Sequence, residues 1–221
     1  MRQDKGRGQR LRITFVKGEE VKYISHLDLM RLWTRALRRA SIPVVHSKGY
    51  NPRPKISIAA PLAVGFTGQN EVMDLLLERP IAPRDFATSV GKQLPAGISL
   101  AEVEEVYATL PSLQSQVQSA EYRVTMEARD KEQEIRDRLE DLLSSEHLPR
   151  QRRGKTYDLR PLIEKLSLEE KSEGCYVLGM RLLTGDQGTG RPDEVLAELG
   201  LGDLVKAVTR TRLHFASRLQ S

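Results

Sequence analysis

Cysteine is almost absent: Cys175 is the single one in 221 residues. One thiol excludes an internal disulfide and any Cys-rich zinc or iron–sulfur site built by this chain alone. Long apolar runs are missing too. The longest, Ile58 to Val64 broken by Pro61 and Leu75 to Leu77, fall far short of the roughly 20 residues that a membrane-spanning helix requires. Met1 to Arg12 is polar and basic with no apolar segment behind it, so nothing there resembles a secretory signal. The expectation is a cytoplasmic protein with no membrane contact. Aromatic residues make up only 5% of the chain, with one tryptophan, Trp33.

What is present suits a globular protein. Hydrophobic residues are 39% of the sequence and are spread along it between regular turn signals, which argues against disorder or low complexity. The length fits one large domain or two of about 100 residues. The formal net charge of +5 is unevenly distributed. Residues 1–57 carry 14 Lys and Arg against 4 Asp and Glu, whereas residues 58–119 carry 3 against 7 and residues 120–146 carry 5 against 9. The balance returns to 7 against 5 over residues 147–173 and 6 against 5 over residues 174–221. Such asymmetry points to a localised polyanion site in the first quarter.

The element pattern repeats. Leu11 to Lys17 reads as a strand, and Ser25-His26-Leu27-Asp28 as a capping box opening a helix. Leu29, Trp33, Ala36, Leu37 and Ala40 share one face of that helix. Arg31, Arg35, Arg38 and Arg39 form a basic stripe beside it, and Pro43 stops it. An extended stretch around Lys55 to Ile58, a strand over Glu71 to Glu78, a helix over Pro83 to Leu94 and a strand over Ile98 to Tyr107 complete a strand–helix–strand–strand–helix–strand order. That order is the ferredoxin-like plan. Leu110 to Ser119, rich in Gln and Ser, reads as a linker. The same order then restarts with a strand over Ala120 to Glu127, a helix over Asp130 to Ser145 and an extended Arg150 to Leu159. A strand over Tyr176 to Thr184, a helix over Pro192 to Leu199 and a strand over Leu204 to Phe215 close it. The expected fold is therefore α+β, with tandem ferredoxin-like (βαββαβ) halves and antiparallel sheets: residues 1–109, a linker at 110–119, and residues 120–221.

The segment Tyr23 to Gly65 is the most distinctive. It holds Ser25-His26-Leu27-Asp28, Arg35-Ala36-Leu37-Arg38-Arg39 and Ser47-Lys48-Gly49-Tyr50-Asn51-Pro52-Arg53-Pro54-Lys55. Together these resemble a radical-SAM-associated family of unknown function, found beside or fused to a radical SAM protein. The likeness continues in Arg152-Arg153-Gly154-Lys155, Asp158-Leu159-Arg160, Gly190-Arg191-Pro192 and Arg210-Thr211. It implies a radical SAM protein as partner. The chain has no three-cysteine cluster signature of its own, so it is not expected to be that enzyme, and no cofactor is expected in this chain. A more distant likeness, in architecture alone, is to the CRISPR-repeat endoribonucleases.

The chemistry of these residues suits a nucleic acid. Arg31, Arg35, Arg38, Arg39, Lys48, Arg53 and Lys55 can hold phosphates, Tyr50 can stack on a base, Asn51 can hydrogen-bond, and Gly49 lets a backbone approach. The competing reading is a solvated helix face with a loop crossing a sheet edge. Arg150, Arg152, Arg153 and Lys155 surround Gly154 in an expected hairpin whose tip can probe an RNA groove or keep an edge soluble. A metal-independent endoribonuclease would use His26 and His46 as acid and base, with Lys48 or Arg53 stabilising the phosphorane. The alternative is a histidine that fixes the helix entry. His26, Asp28 and His46 lack the close ligand spacing of a metal site. His147 and His214 stand alone in sequence, as surface or structural residues. The leading expectation is an RNA-binding adaptor delivering RNA to the radical SAM partner; the rivals are the ribonuclease and a protein-only docking module.

Overall fold

The computed structural model describes residues 8–129, 131–152, 154–171, 174–185 and 188–216. The fold is mixed α+β and divides into two compact units, Met1–Gln116 and Val117–Ser221. No described helix is long and apolar enough to cross a membrane.

In the first unit β1 spans Gln9–Lys17. Its alternation sends Leu11, Ile13 and Phe15 into the core, all fully buried. α1 follows over His26–Arg39. Ser25 caps it by accepting the Asp28 backbone N–H at 3.1 Å, and Ala40 closes it. Leu29, Trp33, Ala36 and Leu37 form its buried stripe, and Trp33 meets Phe15 edge to face at 5.1 Å. β2 (Ile56–Ile58), β3 (Thr67–Leu77), α2 (Pro83–Gly91) and β4 (Ile98–Val106) complete the unit. Phe86 and Val90 of α2 pack into the same core. The strand order is β4-β1-β3-β2, every pairing antiparallel. Asp74 of β3 sits opposite Arg12 of β1 and holds both Arg10 and Arg12, with contacts of 2.5 to 3.0 Å.

The second unit starts with β5 (Val117–Glu127) and α3 (Glu132–Ser144). A separate two-stranded hairpin, β6 (Pro149–Arg152) with β7 (Lys155–Asp158), follows. β8 (Ile163–Lys171), β9 (Cys175–Gly185), β10 (Gly188–Thr189), α4 (Pro192–Glu198) and β11 (Val205–Phe215) complete it. Its sheet runs β11-β5-β9-β8, antiparallel throughout, with β10 extending the β8 side of β9. Cys175 is half-buried at the start of β9, within reach of Lys206.

Two expectations change. Arg150 to Leu159 does not join the main sheet; β8 takes the place next to β9. A register shift between Ile163 and Lys165 interrupts the period-two pattern of β8, which hid the strand in the sequence. The stretch from Leu110 is also not a free linker. Leu113 is fully buried, Arg10 donates to the carbonyls of Leu110 and Pro111, Gln114 bridges Ser57 and the Ile58 carbonyl, and β5 already begins at Val117.

Arg160 ties the hairpin exit to α3. Its guanidinium donates to the Leu143 carbonyl at 2.8 and 3.1 Å and to the Ile163 carbonyl at 3.2 Å. These bonds satisfy a carbonyl left open in the last turn of α3, where a cation also complements the helix dipole. Arg160→Ala is expected to cost about 2 kcal/mol, read as a lower urea midpoint, and to speed amide exchange in the last turn of α3. Arg160→Lys should restore only part of the loss, because one ammonium cannot reproduce the fork.

Candidate nucleic-acid interface

The basic loop is a closed tongue. Lys55 donates its backbone N–H to Val45 at 2.8 Å, Ser47 donates to Arg53 at 2.8 Å, and the Ser47 hydroxyl accepts the Arg53 N–H at 3.0 Å. His46 and Pro54 pair between these bonds. Val45 in turn donates to Leu76, which docks the base of the tongue on the end of β3. The tip, Lys48 to Pro52, projects into solvent. Gly49 lies at φ 144°, a region open to glycine, with open space around it. Tyr50 is as exposed as a free side chain, at 102%. Asn51, Arg53 and Lys55 are exposed beside it.

Only Ala40 to Val45 separate the end of α1 from the tongue, so the last turns of the helix and the tongue leave the unit at the same end. Arg31, Arg35, Arg38 and Arg39 are all exposed. Two are engaged: Arg31 with Asp28 at 3.0 Å and Arg39 with the Gln93 carbonyl at 2.9 Å. The Ser25 hydroxyl and then Arg31 hold the Asp28 carboxyl below its ordinary value, so that carboxylate stays charged and keeps Arg31. Among the described residues, the side chains of Arg35, Arg38, Lys48, Arg53 and Lys55 make no hydrogen bond or ion pair.

The two histidines of the ribonuclease expectation do not meet. His26 opens the first turn of α1, and 14 residues of helix at 1.5 Å each place its far end about 20 Å away. His46 lies beyond that end, beside the close of β3. The separation leaves no shared phosphate position for both rings. Among the described residues, no group of three His, Cys, Asp or Glu converges as a metal site.

The second basic cluster is divided differently from its sequence. Arg150 is bound to Glu198 of α4, Arg152 is half-exposed and Lys155 exposed opposite it in the hairpin, and Arg153 lies outside the described residues. Arg152, Lys155, Thr156, Leu183 and Thr189 line an open cleft of about 860 Å³ beside the hairpin. On the same face, the Tyr157 hydroxyl and the Glu194 Oε2 are sealed from solvent, close enough to interact yet short of a well-formed hydrogen bond. Burial pushes the Tyr157 hydroxyl up to about 12, and the Glu194 carboxylate adds to the rise.

Several partnerships join residues that are distant in the chain. His147 does not stand alone: its ring meets Asp158 at 2.8 Å, and His214 meets Glu121 at 2.8 Å. Asp158 also accepts the backbone N–H groups of Leu148 and Arg160. The His147 contact first, and these N–H groups with it, hold the Asp158 carboxyl below its ordinary value. A depressed carboxyl stabilises the fold above its unfolded pKa, and that contribution is lost as pH falls through the folded value. Wild-type stability is therefore expected to drop as pH is lowered below about 4. Asp158→Asn should flatten that part of the acid limb in urea unfolding between pH 5 and pH 2.5, while lowering stability at neutral pH. Tyr23, Leu27 and Val64 form a feature that local sequence pattern does not mark. All three are exposed apolar residues near the start of α1, where the Gly65 N–H bonds the Lys22 carbonyl and the Tyr23 ring lies against Gly65.

The fold is similar to a chain in the crystal structure of a Cbf5-Nop10-Gar1 complex, with a TM-score of 0.51 and 10% identity over 96% of this chain and 54% of that one. Weaker likenesses are to the crystal structure of the archaeal box H/ACA sRNP Nop10-Cbf5 complex and to an H/ACA RNP bound to a substrate RNA containing 2'-deoxyuridine. The former has a TM-score of 0.47 at 11% identity over 94% and 48% of the two chains. The latter has a TM-score of 0.46 at 12% identity over 93% and 47%. The chain spans about half the length of these solved chains, and at such identities the likeness concerns fold alone. No curated protein matches the sequence. A family match covers residues 10–192, most of the chain, and by it the protein belongs to the family described as "Uncharacterized protein conserved in bacteria (DUF2344)".

Proposed function

We propose that this protein is an RNA-binding adaptor that holds RNA on its first unit and presents it to a radical SAM partner. The observation that carries the reading is the set of unengaged cations, Arg35, Arg38, Lys48, Arg53 and Lys55, gathered on the last turns of one helix and the tongue that follows it. A cation tied to a carboxylate offers little to a phosphate. These five are exposed, free and carried on backbone fixed by capping and by the Val45–Lys55 and Ser47–Arg53 bonds, so binding orders less chain. Each unit is read as one ferredoxin-like layer, a reading supported by the shared orders β4-β1-β3-β2 and β11-β5-β9-β8.

The partner half of the proposal rests on the sequence resemblance and on the apolar residues Tyr23, Leu27 and Val64, which lie at the opposite end of α1 from the tongue. An apolar end and a cationic end on one helix let a protein and an RNA be held together without competing for one surface. The test is co-purification of the intact chain with a radical SAM protein of the kind the resemblance implies, after nuclease treatment, and with RNA in a separate gel-shift series. The expected result is a nuclease-resistant protein complex weakened by Leu27→Asp, with RNA binding unchanged in that variant. A chain that retains neither partner contradicts the adaptor reading. RNA-free binding to the protein alone would favour the docking module.

A further inference from the structure

The tongue carries more than charge. Its tip is built to hold one aromatic ring away from the protein: Tyr50 is fully exposed between Gly49 and Asn51, with Pro52 and Pro54 stiffening the return limb. Two backbone bonds and the Ser47 hydroxyl close the stem, so the ring stands on an anchored turn. Lys48 and Arg53 flank it in the chain, neither tied to a carboxylate among the described residues. A tyrosine at such a position gains nothing from burial in this chain, and its flat face is available for stacking.

We infer that the tongue recognises unpaired RNA, with one nucleobase stacked on Tyr50 while Lys48 and Arg53 hold the phosphates on either side. This rests on the RNA-binding reading and narrows its ligand class. In a duplex each base is already stacked on its neighbours, the A-form major groove is too deep and narrow for side chains, and the wide minor groove offers hydroxyls and phosphates. A single projecting ring has no partner there. In a loop, bulge or single strand, an unstacked base offers a free face, and stacking on an aromatic ring tolerates any sequence. Asn51, next to Tyr50 in the chain and exposed, carries an amide that can meet a base edge.

The experiment uses the full chain with a fluorescent RNA of roughly 12 nucleotides, offered as a single strand and as the same sequence in a duplex. The expected result is tighter binding of the single strand by tenfold or more. Tyr50→Ala should weaken single-strand binding by about 5- to 150-fold, the range for loss of one stacked base, and leave duplex binding unchanged. Tyr50→Phe should keep most of the affinity. A 2-aminopurine in the strand should be quenched by the wild-type protein and not by Tyr50→Ala. Because Tyr50 is fully exposed, its truncation spares the fold. Equal affinity for both RNAs with Tyr50→Ala neutral would overturn the stacking inference and leave the RNA-binding reading standing. Absence of binding to either RNA would overturn both.

Discussion

Replacing Arg35, Arg38 and Arg53 together with Ala is expected to weaken single-stranded RNA binding about 100-fold at 0.1 M salt and to flatten its salt dependence. For single strands, log K falls with log salt by about 0.7 per neutralised phosphate. Each contact is then worth about fivefold at 0.1 M relative to 1 M salt, and three contacts about 100-fold, with the slope shallower by about 2. The slope distinguishes lost phosphate contacts from a general loss of folded protein, which lowers the active fraction and leaves the slope alone. Among the described residues none of the three side chains bonds to another group, so the circular dichroism spectrum and urea midpoint should stay at wild-type values. Arg136→Ala is the control: that arginine is committed to Glu132 one turn away on α3, and its loss should leave affinity and slope unchanged.

The second large effect concerns stability. Asp74 is buried, with Arg10 bound to it through two nitrogens and Arg12 through two more. Removing one carboxylate between two largely buried guanidinium groups leaves their charge poorly compensated, and breaking such an arrangement costs about 3 to 5 kcal/mol. Asp74→Asn keeps the shape and removes the charge, so it isolates the electrostatic part. Its urea midpoint should fall strongly with the slope of the transition preserved. The loss should reach the stretch that follows β4, because Arg10 also holds the Leu110 and Pro111 carbonyls. Faster amide exchange over residues 110–116 is the local sign. A change below about 1 kcal/mol would show that the triad contributes no more than an exposed pair does.

Local signals were legible and long-range ones were not. The capping box at Ser25, the Leu29–Trp33–Leu37 face of α1 and the proline-rich basic loop are written within a few residues of one another, and each appears in the structure. Asp74 and Arg12 are 62 residues apart and meet only because β3 lies beside β1. Neither residue is marked in sequence as anything but a charge in a strand. The free and the engaged arginines of α1 look alike in sequence, since the partner of Arg39 is the backbone carbonyl of Gln93 in the turn after α2. The closed stem of the tongue depended on hydrogen bonds between positions six and ten residues apart, which composition does not reveal. His26 at the first turn of α1 and His46 beyond its last are held apart by the length of that helix, which spacing in the sequence does not show. β8 was hidden by its bulge, and the stretch from Leu110 by its polar composition, although one buried leucine, Leu113, anchors it.

The most direct measurement is a crosslink map. A single-stranded RNA carrying 4-thiouridine, bound to the intact protein and irradiated, reports by mass spectrometry which residues touch it. Crosslinks are expected on the tongue, led by Tyr50 with Lys48 and Lys55, and on the last turns of α1 around Arg35 and Arg38. Crosslinks confined to the second unit, or no crosslinks under conditions where RNA is bound, would contradict that placement.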